Sequence, residues 1–127
     1  MNILSITRNI SIFTLLCNAL PLELRADPLQ DLTISNELMA AYSKKDETGK
    51  PQPDLKRIED LLSKLSDKNA KLLWLNNLML GYYSKVDEKG KPIPDLKNVK
   101  RLYNLIQDEN YKTIWANNIK MAELMHP

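Results

Sequence analysis

YSKKDETGKPQPDLK at residues 42–56 returns 41 residues later as YSKVDEKGKPIPDLK at residues 83–97. Extending the overlay to residues 42–77 on 83–118 needs no gap and gives 19 identities in 36 positions. Trp74 falls on Trp115, and Asn76-Asn77 on Asn117-Asn118. Upstream, residues 34–41 lie over 75–82 as part of a further copy. A dense match at one fixed period between 20 and 50 residues is the mark of stacked repeats, in which each unit buries its apolar side on the next. The chain therefore holds about 2.5 units of 41 residues.

Each unit reads as two helices. Asp54 and Asp95 follow a proline and precede an amphipathic run, where a carboxylate can accept from free amides of a first helical turn. Leu55, Ile58, Leu61, Leu62 and Leu65 then recur at helical spacing, as do Leu96, Val99, Leu102, Tyr103 and Ile106. Polar breaks at Asp67-Lys68-Asn69 and Asp108-Glu109-Asn110 let the chain reverse. The next helix carries Leu72, Leu73, Trp74, Met79, Leu80 and Tyr83, echoed by Ile114, Trp115, Ile119 and Met121. Asp27-Pro28 is a cap with proline at the first helical position. These signals predict five helices, at about 28–44, 54–66, 70–85, 95–107 and 111–125. The expected fold is all-α, a short right-handed solenoid of antiparallel helix pairs. Its units span about residues 27–69 and 70–110, with a terminal capping helix at 111–127. One column is small throughout, Ala40, Gly81 and Ala122; glycine inside a helix costs about 1 kcal/mol relative to alanine, so Gly81 signals close helix approach.

The order Leu80-Gly81, a closely following tyrosine, a Gly/Pro loop and an Asp-led second helix resembles the Sel-one-like branch of tetratricopeptide-type repeats. The likeness covers about residues 28–125. It implies an adaptor, because such repeats bind proteins or peptides; many bacterial members are exported, and some act as immunity proteins against toxins. The family motif is a scaffold pattern and transfers no catalytic residue.

Residues 1–26, MNILSITRNISIFTLLCNALPLELRA, read as a secretory leader. Arg8 and the amino terminus supply positive charge, residues 10–16 are apolar, and Ala19 and Ala26 are small residues that can precede a cleavage site. The remaining helical repeat domain, 27–127, is then periplasmic or secreted. The alternative is a helix covering the first repeat of a cytoplasmic protein. Cys17 is the only cysteine, so no internal disulfide forms. Eighteen basic residues against 16 acidic ones give +2, too even for a nucleic-acid binder that works by counterion release. No apolar run reaches the roughly 20 residues of a membrane-spanning helix.

Candidate functional residues lie in the repeat columns. Asn36, Asn77 and Asn118 share one column, with Asn76 and Asn117 beside the last two. Asparagine competes for backbone hydrogen bonds and is a mediocre helix former, so its recurrence needs a reason. It is either a ladder tying down neighbouring carbonyls or a row of amides offered to a peptide. Tyr42 and Tyr83, with Trp74 and Trp115, are either core or anchors at an interface. The loops 45–53 and 86–94 carry Asp46-Glu47 and Asp87-Glu88 but lack the alternating oxygens and final glutamate of a calcium loop, so no metal is expected. His126 has no histidine partner, and no nucleophile–base pair or phosphate loop assembles, so neither catalysis nor a cofactor is expected. The reading is a non-enzymatic protein- or peptide-binding module, compatible with a homo-oligomer. The alternatives are an immunity-type inhibitor of a toxin and a structural or assembly subunit using the exposed ends of the stack.

Overall fold

The computed structural model describes residues 27–126 and contains five helices among them: α1 (Pro28–Tyr42), α2 (Leu55–Leu62), α3 (Lys68–Tyr83), α4 (Leu96–Tyr103) and α5 (Glu109–Met125). The leader read at residues 1–26 lies outside the described residues. Every helix opens on an aspartate whose carboxylate accepts an N–H from the first turn. Asp27 takes it from Gln30, Asp54 from Arg57, Asp67 from Ala70, Asp95 from Asn98 and Asp108 from Tyr111. Each such cap is worth about 1 kcal/mol. Asp67 and Asp108, read from sequence as parts of polar breaks, are therefore also the starts of the long helices.

The short helices end earlier than the periodicity predicts, at Leu62 and Tyr103 rather than near residues 66 and 107. The bonding tightens there from i→i+4 to i→i+3. Lys64 and Leu65 donate to Leu61 and Leu62 at 3.0 and 3.2 Å, and Leu105 and Ile106 to Leu102 and Tyr103 at 2.9 and 3.1 Å. Leu65 and Ile106 remain buried, so the turn keeps their side chains in the core after the helix has stopped.

Helices adjacent in the chain pack on one another. One core runs through the molecule. Ile34 and Leu38 come from α1, Ile58 and Leu61 from α2, Leu75, Leu78, Met79 and Tyr82 from α3, and Val99 and Leu102 from α4. A Cβ added at Gly81 would stand 2.5 Å from Leu55 Cδ2, so a side chain there would have to displace the leucine that α2 presses onto α3. Elsewhere the periodicity misleads: Leu73, Leu80, Ile114 and Met121 are exposed rather than buried. The long helices have apolar residues on two sides, and spacing alone does not say which side meets the core.

At α5 the pattern changes. Its counterparts of the buried Leu75, Met79 and Tyr82 are Ala116, Lys120 and Glu123, all exposed. Glu123 forms an ion pair with Lys100 of α4. On this side α5 thus carries the charged Lys120 and Glu123 where α3 carries Met79 and Tyr82.

Each long loop is a compact piece held by its aspartate. Asp46 Oδ1 accepts from Thr48 N, Thr48 Oγ1 and Lys50 N at 2.8, 2.6 and 3.0 Å. Asp87 Oδ1 accepts from Lys89 N and Lys91 N, both at 2.9 Å. Gly49 and Gly90 take positive φ of 84° and 80°, a region that costs other residues energy.

Candidate binding surface

The long helices meet along seams made by equivalent aromatic pairs. Tyr42 on α1 stands edge-on to Trp74 on α3, ring centroids 6.0 Å apart at 77°. Tyr83 on α3 meets Trp115 on α5 in the same way, at 5.7 Å and 79°. Both tryptophans are buried. Edge-to-face packing places a ring's positive rim on its neighbour's negative face and adds about 0.5–1.5 kcal/mol beyond burial. In the second seam, Trp115 Nε1 donates to Asn76 Oδ1 at 3.0 Å, and the Tyr83 hydroxyl donates to the Asn118 carbonyl at 3.3 Å.

The candidate residues thus divide. The structure brings Tyr83, Asn76 and the Asn118 backbone together around Trp115, and sets Tyr42 against Trp74. It does not draw the rest into that network. The side chains of Asn36, Asn77, Asn117 and Asn118 form no hydrogen bond with another described residue. Asn36 and Asn117 are exposed, Asn77 and Asn118 half-buried.

Around this amide column lies what sequence reasoning missed. Four residues before each asparagine stands an exposed aliphatic: Leu32, Leu73 and Ile114. Three residues after it stands another: Met39, Leu80 and Met121. Positions i−4 and i+3 share a helix face with i, so each long helix presents aliphatic, amide, aliphatic, and three helices repeat it. The exposures are 60, 52 and 53% in the first row and 55, 39 and 57% in the second. The signal is legible as matching columns, but spacing alone does not separate Leu73, Leu80, Ile114 and Met121 from the apolar residues of the same helices that face the core.

The face is also uncharged. Six positions on each long helix and its C-terminal cap form it: the three just named, their neighbours Ser35, Asn76 and Asn117, and the ends Pro28, Asn69, Asn110, Ser43, Ser84 and Met125. None of these eighteen is charged. With 27% charged residues in the chain, eighteen random positions would hold about five. The charges sit elsewhere, as in Arg57 with Glu37 at 3.6 Å and Arg101 with Glu59, which join α2 to α1 and α4 to α2.

A groove lies between the α2–α3 and α4–α5 corners. Its volume is about 760 Å³, and Leu62, Leu72, Leu75, Leu102 and Leu105 line it beneath Lys68, Lys71 and Asp108. Among the described residues no group of histidine, cysteine and acidic side chains is placed to hold a metal ion. No helix among them is long and apolar enough to cross a membrane. The chain matches no protein-family model, no curated protein and no solved structure in the three comparisons made.

Proposed function

We propose that the chain is a non-enzymatic protein- or peptide-binding module, a Sel-one-like, tetratricopeptide-like repeat whose helices stack as a short right-handed solenoid of antiparallel pairs. The repeated seams between α1, α3 and α5, and the Arg101–Glu59 pair between α2 and α4, support that stacking. The observation that carries the function is the uncharged, three-helix face with its two exposed aliphatic rows and central amides. Burial of apolar area yields about 25 cal/mol per Å², so six exposed aliphatics in register are a reservoir of binding energy. Contiguous apolar patches on a protein surface mark interaction sites. The amides supply both donors and acceptors, able to satisfy a partner's backbone groups as those groups lose water.

The test replaces Asn77 and Asn118 with alanine. Capture of a partner from native extract weakens, while the thermal melt followed by circular dichroism stays nearly unchanged. A large fall in melting temperature would instead make the column a structural ladder. Export of the mature chain rests on the leader reading, and N-terminal sequencing of the protein from its native source tests that.

A further inference from the structure

We propose that the uncharged face binds a second copy of this chain, giving a two-fold symmetric dimer. This rests on reading the face as a binding surface and names its occupant. A two-fold interface is isologous, so the same patch must complement itself. Few surfaces do, because any charge near the axis meets its own like charge. This one meets the condition in three ways.

Its rows run aliphatic, amide, aliphatic. A two-fold axis in the plane of the face, along the amide row or across it at Asn77, sets aliphatic against aliphatic and amide against amide. The amide is the neutral side chain suited to facing itself, since its oxygen accepts and its NH2 donates. The absence of charge at eighteen positions means that pairing sets no like charges against one another across the axis. A charged partner would lose hydration against this face with no opposite charge to compensate it, whereas an identical face brings no charge to be desolvated. The size comes close to what a stable pair needs. Stable interfaces take about 800 Å² and some 20–30 residues from each partner, and six positions on each of three helices approach that number.

The axis makes a specific demand. With the axis through it, Asn77 faces its own copy and Leu73 lies close to the two-fold. A charge at Asn77 is met by the same charge, and a charge at Leu73 is met by its own copy when the axis crosses the amide row or by the aliphatic Leu80 when the axis runs along it, so neither is compensated.

The experiment is sedimentation velocity on the purified full chain from micromolar to submillimolar concentration, beside L73K, N77D and a control, V86K, in the exposed second loop. The wild type and V86K shift reversibly from a 14.6 kDa monomer to its dimer, with a midpoint that does not move between low and molar salt. L73K weakens the dimer by at least about tenfold, the equivalent of 1.4 kcal/mol. N77D is monomeric at neutral pH and regains dimer below about pH 4, where an ordinary aspartate protonates. Circular dichroism confirms that each variant is folded.

A wild type that stays monomeric throughout overturns the proposal. So does a dimer indifferent to both L73K and N77D, or one that salt dissolves. A monomer that still loses extract capture when Asn77 and Asn118 become alanine overturns self-pairing alone and leaves the binding function standing.

Discussion

The two long loops and the two helix corners are products of the same duplication, and they have fared differently. In the loops, four backbone bonds recur at the same lengths. Asp46 N to Lys50 O and Asp87 N to Lys91 O are both 2.9 Å; Gly49 N to Asp46 O and Gly90 N to Asp87 O are both 3.0 Å. Gln52 N to Lys44 O and Ile93 N to Lys85 O are 2.8 Å, and the bonds returning each chain to its helix, Asp54 N to Ala41 O and Asp95 N to Tyr82 O, are 2.9 Å. This holds although Lys45, Thr48 and Gln52 have become Val86, Lys89 and Ile93. The corners have diverged. At the first, the Asp31 carboxylate accepts from Ser66 N, Ser66 Oγ and Asp67 N at 3.0, 2.9 and 2.9 Å, and Ser66 Oγ accepts from Asp27 N at 3.0 Å. At the second, the equivalents of Asp31 and Ser66 are Leu72 and Gln107, which line the open groove. A loop whose geometry is set by its own aspartate, glycine and prolines survives duplication intact. A corner set by side chains from another helix is free to change.

The comparison can be pressed hardest through the core that both units share. Leu61 and Leu102 occupy the same position and are both buried. Truncating either to alanine costs about 3 kcal/mol by urea denaturation. Unequal costs would show that the corners, and not only the loops, set how firmly each unit is held.

Asp31→Ala comes next. It strips three donors at the first corner of a charged acceptor, each such bond being worth about 1.5 kcal/mol or more when shielded. Solvent access reduces the expected loss to about 1–2 kcal/mol in all. Acid reports on the same contact. Partial burial raises the Asp31 pKa, but the Ser66 and Asp67 N–H groups, the Ser66 hydroxyl and the Lys71 charge outweigh it and hold the net value below the ordinary 3.8. A carboxylate with a depressed folded pKa contributes stability above its unfolded value and loses it as pH falls through the folded one. Wild type therefore loses stability more steeply than Asp31→Ala as the pH falls below about 4, and parallel melting curves across that range would dismiss the clamp.

Gly49→Ala and Gly90→Ala each force an alanine to positive φ in open space, with nothing within 4 Å of the new Cβ. Each costs about 1 kcal/mol, and the two values agree because the loops do. The smallest effect is a gain. The residue equivalent to Asn76, which bonds Trp115, is Ser35 on α1. Ser35→Asn copies the second seam into the first and raises stability by about 0.5 kcal/mol, read as a small rise in melting temperature.

Much of this is legible in the sequence. The 41-residue period located five helices, because apolar recurrence, aspartate caps and Gly/Pro loops are local signals that a short window contains. Asp54 and Asp95 were identifiable as caps by the amphipathic runs after them, Asp27 by the adjoining Pro28, and Trp74 and Trp115 as equivalent. The aliphatic rows were not legible, since Leu73 and Leu80 sit in the same helix as the buried Leu75 and Met79 and share their composition. Nor was the Asp31 clamp, whose partners lie 35 and 36 residues away.

By itself, then, the sequence determined the repeat, the helices and the loops, because each depends on backbone preferences of neighbouring residues. Tertiary structure alone decided which apolar side of α1, α3 and α5 faces water. That choice depends on how neighbouring helices use the limited space around each one, and the side left over is the uncharged face on which the proposed function rests.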